Sequence, residues 1–289
     1  MQNRFEVLKH EKNETMKVKL FDKKLLKNYL VVLSVISLFC SFALIAIKIP
    51  DDNCTRFTVG VILGIVLLIV YVVMLIKANV QNKTTLDINN STMIVKTGNI
   101  FEEDGLKVIA FNEYFDTLVD NRIIAENTLN GTYIKTEIDN VRKLDEQIDS
   151  DSTLNKKVIE INESRSVGKK KRYNLGTIYE NNDYLLTTFT RFDEDNRAFL
   201  NMDDYINFLL NFWNEIDIIY AGRSVSIPLL GSGITRFKGY DTISEQELLE
   251  LLIWSFKVSR IKFTYPSKVS VIVHESKKDK INFYKLKKD

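Results

Sequence analysis

The chain has 289 residues, enough for one large domain or two ordinary ones. Its 40 lysines and arginines nearly balance 38 aspartates and glutamates, and a net charge of +2 gives no strong case for nucleic acid. Two cysteines, Cys40 and Cys54, make no disulfide framework, and two histidines, His10 and His274, supply no histidine-rich metal site, so neither a metal nor a catalytic residue is expected from them.

Residues 1–28 are polar and rich in lysine: Lys9, Lys12, Lys17, Lys19, Lys23, Lys24 and Lys27. Tyr29 to Ile47 then carries no charge. Pro50, Asp51, Asp52 and Asn53 break the run, and Phe57 to Ile76 is a second uncharged stretch. At about 1.5 Å per residue, each stretch spans roughly the 30 Å of a bilayer core. Both are apolar on all faces, which predicts membrane helices rather than a buried soluble hairpin. The late start, the second span and the missing small-residue cleavage site argue against a signal peptide. Lysine is in excess outside the short loop, with Lys77 and Lys83 after the second span, while the loop holds Asp51 and Asp52 with Lys48 and Arg56. That asymmetry predicts a two-span inner-membrane protein with both termini cytoplasmic. The expected organisation is a basic segment at 1–28, a transmembrane hairpin at 29–77 and a cytoplasmic domain at 78–289. Gly60 and Gly64 form a Gly-x-x-x-Gly pair, which permits close helix approach in lipid. No Asp, Glu, Lys, Arg or His lies inside either span, so a transporter or proton path has no support.

From Asn79 onward, short apolar runs alternate with helical stretches, the pattern of an α/β domain. Thr92–Lys96 and Leu106–Phe111 read as strands flanking Gly98-Asn99-Ile100-Phe101, and Thr132–Lys135 as a further strand after Asn130-Gly131. Residues 136–181 are polar, and their run Lys169-Lys170-Lys171-Arg172 reads as a solvated loop more readily than as an anion site. Tyr184–Thr190 is a strand. Tyr205, Leu209, Phe212, Trp213 and Ile216 recur at helical spacing behind Asp203 and Asp204, as a core stripe. Leu248, Leu249, Leu252, Ile253 and Phe256 line another helix. Val269–Val273 and Ile281–Leu286 read as closing strands, with His274 a strand-end residue.

The chain is organised around Val225–Phe237, VSIPLLGSGITRF. A buried strand ends at Pro228, where a lost ladder donor is tolerated. Gly231-Ser232-Gly233 then removes Cβ atoms where the backbone turns sharply or approaches something closely. Asp241 and Ser244 lead into the next helix, and Ser244-Glu245-Gln246-Glu247 fits a capping box. Free backbone N–H groups there would suit a phosphate; an ordinary strand-to-helix turn fits the same residues. Arg236 stands where a dinucleotide fingerprint has its third glycine, and no Gly-Lys-Ser/Thr of a P-loop follows.

These pieces resemble a macro domain, the three-layer α/β/α fold with a mixed sheet that binds ADP-ribose. Gly98-Asn99-Ile100-Phe101 is similar to the family's Gly-Asp-Ile-Thr/Phe turn, which bonds the adenine amino group. Ile227-Pro228-Leu229-Leu230-Gly231-Ser232-Gly233-Ile234 is similar to the loop that wraps the diphosphate. Ala110-Phe111-Asn112-Glu113-Tyr114-Phe115-Asp116-Thr117, with Gly131 further on, resembles the divergent first loop of one subgroup, and Tyr173–Thr177 with Tyr184–Trp213 fits that subgroup too. The resemblance implies ligand contacts by Asn99 and Ile100; by Asn112, Glu113, Phe115, Asp116 and Gly131; and by Leu230, Gly231, Ser232, Gly233, Ile234, Thr235 and Arg236. Asn99 replaces the usual aspartate, and an amide can both donate and accept. The first loop lacks the glycine-rich run and neighbouring asparagines of catalytic macro hydrolases.

A macro domain of this subgroup behind two spans resembles the membrane effector of type II Thoeris anti-phage defence. The resemblance implies that a TIR-domain partner consumes NAD and makes a histidine conjugate of ADP-ribose. The macro domain binds this signal without a cofactor, and the spans then act on the membrane as a homo-oligomer. Its alternative is a membrane-tethered hydrolase of ADP-ribose conjugates.

Overall fold

The computed structural model describes residues 16–47, 52–233, 235–239 and 243–287. Lys9, His10, Lys12, Pro50, Asp51, Ile234 and Asp241 lie outside them. The chain divides into two compact units, one comprising the residues up to 82 and from 282 onward, the other Lys83–Ile281.

The first unit holds helix α1 (Lys23–Ala46) and helix α2 (Asn53–Val80). Each starts at an aspartate: Asp22 accepts from the N–H groups of Lys24 and Leu25, and Asp52 from that of Thr55. Those bonds satisfy donors that a helix start leaves free. Serine and threonine hydroxyls bond back to the carbonyls a turn earlier, Ser41 to Ser37 and Thr58 to Cys54, which removes their polarity from the apolar surface. Of the most apolar window of α1, 0% is buried, and of α2's, 6%. A core hairpin would bury these faces; the two helices are instead long and apolar enough to cross a membrane. A Cβ at Gly60 or Gly64 would meet nothing within 4 Å, so none of the described residues covers those two positions.

The second unit is built on a mixed sheet. Its strands are β1 (Lys83–Ile88), β2 (Ser91–Thr97), β3 (Leu106–Asn112), β6 (Ile178–Asn181), β7 (Tyr184–Phe192), β8 (Ala198–Leu200), β9 (Val225–Pro228), β10 (Arg236–Phe237) and β11 (Val269–Val273). They run in the order β1-β2-β11-β9-β3-β7-β8-β10, with β6 against β7. Between β2 and β7 the neighbours are all parallel. β4 (Val158–Ile161) and β5 (Lys171–Tyr173) form a separate antiparallel pair.

Side-chain alternation along the central strands supplies two cores. On one face Ile109, Phe111 and Leu186 join Phe115, Tyr133, Ile134, Leu144, Ile148 and Leu154. The latter come largely from helices α3 (Leu129–Thr136), α4 (Val141–Ser150) and α5 (Ser152–Asn155). On the other face lie α6 (Met202–Ile219) and α7 (Glu245–Val258), whose buried Phe208, Phe212, Trp213 and Phe256 continue an aromatic chain from Phe189. Trp213 Nε1 donates to Ser255 Oγ at 2.8 Å, so the buried indole N–H is satisfied. The result is the expected three-layer α/β/α architecture.

Two expected strands are helical. Thr132–Lys135 lies in α3, because Thr128 caps the Gly131 N–H and Tyr133 and Ile134 turn onto the same core face. Ile281–Leu286 is not a strand: Asn282 caps a short helix α8 (Phe283–Leu286) by accepting from the Lys285 N–H. An apolar run of that length carries no periodicity able to separate the two states. The basic run is spent on carboxylates rather than left to water: Lys169 meets Asp145 at 2.6 Å, Lys170 Glu163 at 2.7 Å and Arg172 Glu160 at 2.9 Å.

Candidate functional site

Parallel pairing brings the C-terminal ends of β2, β11, β9, β3 and β7 to one edge of the sheet. Among the parallel strands, β7 follows β3 and β11 follows β9, on opposite sides of the β3–β9 pair, although the chain reaches β11 by way of β10 beside β8. The β3–β9 boundary is therefore a topological switch point, where open α/β sheets leave a crevice. The ladder there comprises Leu106↔Val225 and Lys107↔Ser226, near the start of both strands. Toward the loop edge β9 instead stays on β11, through Ile272↔Pro228 and Leu229 N to the Ile272 carbonyl at 3.1 Å.

The loop after β3 is locked by side chains. Asn112 Oδ1 accepts from Tyr114 N at 3.0 Å and Asp116 N at 3.3 Å, and Asn112 Nδ2 donates to Asp116 Oδ2 at 2.9 Å. This clasp holds Phe115 at φ 51, a region that costs a non-glycine residue about 1–3 kcal/mol. Phe115 is wholly buried, its ring among Phe111 and Tyr173, so the ring is not open to a ligand. Asp116 is buried and receives the Arg165 fork, Nη1 to Oδ1 at 3.1 Å and Nη2 to Oδ2 at 2.7 Å, plus the Lys169 N–H at 2.7 Å. Arg165 comes from the β4–β5 connection. Its guanidinium lies 4.0 Å from the centre of the Tyr114 ring and bonds Asn196 Oδ1. Gly168, at φ 89, completes the clamp: a Cβ there would stand 2.6 Å from Asp116 Oδ1.

Glu113 points into a second knot. Its carboxylate accepts from Phe192 N and from Arg191 Nη1, each at 3.2 Å, and Arg191 is shared with Asp204 at 2.9 Å. Burial pushes the Glu113 carboxyl above its ordinary value, against the opposing pull of these partners. The hydrogen bonds from Arg191 hold Asp204 below its ordinary value.

The loop after β9 is built differently. Gly231 adopts φ 87, and a Cβ there would stand 2.9 Å from the Phe237 ring, so local packing alone demands glycine. Ser232 Oγ donates to the Leu229 carbonyl at 2.7 Å and closes the turn. Around Gly233 a Cβ would meet nothing within 4 Å. Thr235 is half-buried and Arg236 exposed, and Leu230 is buried beneath the loop. Since β10 pairs with β8, this loop crosses the ends of β3 and β7 and straps the edge.

At the end of β2, Gly98 N donates to the Val273 carbonyl at 3.0 Å. Asn99 is exposed; its Oδ1 accepts from Phe101 N at 3.2 Å and its Nδ2 donates to Glu102 at 3.1 Å, which caps a 3-10 turn over Ile100–Glu102. Ile100 is buried. Gly131 stands apart in the first turn of α3, where a Cβ would press to 2.3 Å from the Ala125 carbonyl. A depression of about 510 Å³ lined by Thr117, Leu118, Val119, Ile134, Lys135, Val141 and Asp145 lies behind the first loop.

Sequence reasoning missed Arg165, Arg191 and Asn196. Nothing local pairs Arg165 with Asp116 across 49 positions. Two arginines in polar stretches gave no periodic signal.

The family model described as "Thoeris protein ThsA, Macro domain" matches residues 93–274, which include the three loops of this edge. A relative from Bacillus amyloliquefaciens (strain Y2), named Thoeris protein ThsA, is 40% identical over 279 residues, 95% of this chain and 91% of the relative. The chain belongs to the ThsA macro-domain family. Solved structures similar to it include an Oceanobacillus iheyensis macrodomain with ADP, 12% identical with a TM-score of 0.45, covering 71% of this chain and 93% of that one. The same macrodomain with MES bound is 13% identical with a TM-score of 0.45, covering 71% and 94%. The match to the ThsA macro domain, residues 93–274, falls within the unit Lys83–Ile281, and the two apolar helices lie in the other unit.

Proposed function

We propose that this protein is a membrane-anchored defence effector whose macro domain senses an ADP-ribose derivative and whose two helices then act on the bilayer. The observation that carries this reading is the convergence of Asn99, Asn112–Asp116 and Leu230–Arg236 on one sheet edge at the switch point. Asn99 would meet the adenine end, and the Gly231–Arg236 strap the diphosphate through backbone N–H groups. The first loop would meet the distal ribose and its substituent, for which the histidine conjugate made by a TIR-domain partner is the favoured ligand. The spans would cross the inner membrane with both termini cytoplasmic, and the effector would assemble or rearrange as a homo-oligomer.

Binding without turnover is the favoured chemistry. Glu113 and Asp116 are held by arginines and backbone N–H groups, which supports a structural role for both carboxylates. Calorimetry of the detergent-solubilised full-length chain should show tight binding of the histidine conjugate, weaker binding of bare ADP-ribose, and intact ligand by mass analysis afterwards. Multiple-turnover cleavage would establish the hydrolase alternative, and the absence of heat with either compound would overturn the sensor reading.

A further inference from the structure

We infer that residues 282–287 form a latch on one end of the helix pair, holding α1 and α2 in their described arrangement until the macro domain releases it. The inference rests on the proposed reading that these helices act on a membrane.

After the sheet is complete, the chain returns to the helical unit. Asn282 Nδ2 donates to the Lys17 carbonyl at 2.5 Å, and Asn28 Nδ2 donates to the Tyr284 hydroxyl at 2.8 Å. Lys24 Nζ stands 5.3 Å from the centre of the Tyr284 ring and donates to the Lys287 carbonyl. The Tyr284 ring packs on a cluster of Val18, Leu25, Leu75 and Ala78. Asn79 ties the far side of the knot, accepting from Val18 N at 3.0 Å and donating to the Val18 and Leu75 carbonyls. The segment before α1, the end of α2 and the returning tail thus meet in one place.

That place matters because the described contacts between the helices gather at this end. The buried apolar side chains described for α1 and α2 are Leu25, Leu75 and Ala78, all in this cluster, while the spans expose their apolar faces. In lipid the hydrophobic effect does not press such faces together. The other described ties between the helices lie close by: the Tyr29 hydroxyl donates to the Leu67 carbonyl at 3.0 Å, and the Tyr29 and Tyr71 ring centres are 5.0 Å apart.

A short route leads to the latch from the candidate site. Ser244 and Glu245 begin α7, the next helix after the strap and β10. Lys277 Nζ and Lys280 Nζ both donate to Glu245 Oε1 at 2.9 Å. These lysines lie on the 3-10 segment Glu275–Lys280, which follows β11 and precedes Ile281 and Asn282. A change in the strap can thus pull on the residues joined covalently to the latch. A ligand drives release only if it binds the released state more tightly.

The test uses full-length protein in liposomes loaded with a fluorescent dye. Without ligand, Tyr284→Ala should leak at about tenfold the wild-type rate or more, and Tyr284→Phe, which keeps the ring and loses the Asn28 bond, should fall between. Calorimetry with the histidine conjugate of ADP-ribose should give the same affinity for all three, which also reports a folded sensor. Asn28→Cys with Tyr284→Cys, in a background of Cys40→Ser and Cys54→Ser, bridged by a short bismaleimide, should abolish conjugate-triggered leakage. A Tyr284→Ala protein that leaks only with conjugate, as the wild type does, overturns the latch. So does one that binds conjugate normally and never leaks. If the wild type itself never leaks with bound conjugate, the membrane-acting reading fails first and the latch with it.

Discussion

The two loops beside the switch point are built on opposite plans. Asn112–Asp116 is buried and wired by side chains that arrive from far along the chain: Arg165, Asn196 and Arg191. Gly231–Arg236 is partly exposed and shaped by local backbone, with one hydroxyl closing its turn. The first is preorganised, at the cost of placing charge in a low-dielectric setting where each partner depends on the other. The second leaves open space at Gly233 to whatever binds. Damage to the first should therefore register as lost stability, and damage to the second as lost affinity.

The largest expected effect is at Arg165. Arg165→Ala strands the buried Asp116 carboxylate and should cost about 3–5 kcal/mol in denaturant unfolding of the macro domain. Arg165→Lys should recover only part of it, because an ammonium cannot reproduce the fork. Near-wild-type stability in Arg165→Ala would mean that the loop is not pinned from the β4–β5 connection.

Next comes the strap. Gly233→Val has room for its side chain and should leave the unfolding midpoint unchanged while binding of the ADP-ribose conjugate falls about tenfold, or ~1.4 kcal/mol. Gly231→Val sharpens the contrast: its φ of 87 and the Phe237 ring predict a loss of stability as well as of affinity. Unchanged affinity in folded Gly233→Val would remove the strap from the binding site.

The smallest effect is a pH dependence at Glu113. Its folded pKa is raised by burial, so its contribution is fully present below the unfolded value and is lost as pH rises through the folded value. Glu113→Gln lacks that titration. The stability of wild type relative to Glu113→Gln should therefore decline as pH rises above the ordinary carboxylate range, measured by thermal unfolding across a pH series. A difference that grows with pH would show that Arg191 and the Phe192 N–H outweigh burial.

Much of the molecule was written in its one-dimensional pattern. Uncharged runs ending at polar turns marked both membrane-length helices, because a helix exposed on all sides to lipid must be apolar on all sides. The strands at Thr92, Leu106, Tyr184, Val225 and Val269, and the Ser244 cap, were legible from alternation and capping chemistry, which act over a few residues. So were the loops at Asn99, Asn112 and Gly231, whose residue types answer to backbone geometry. Tertiary structure alone decided what those loops rest on. Thr132–Lys135 and Ile281–Leu286 became helical because a distant core face and the helix pair claimed them, overriding ambiguous short runs. Asp116 found Arg165, and Tyr284 found Asn28, across separations that local propensity cannot see. Such ion pairs and hydrogen bonds depend on where the chain folds back, and that is set by the packing of the whole sheet and helix pair.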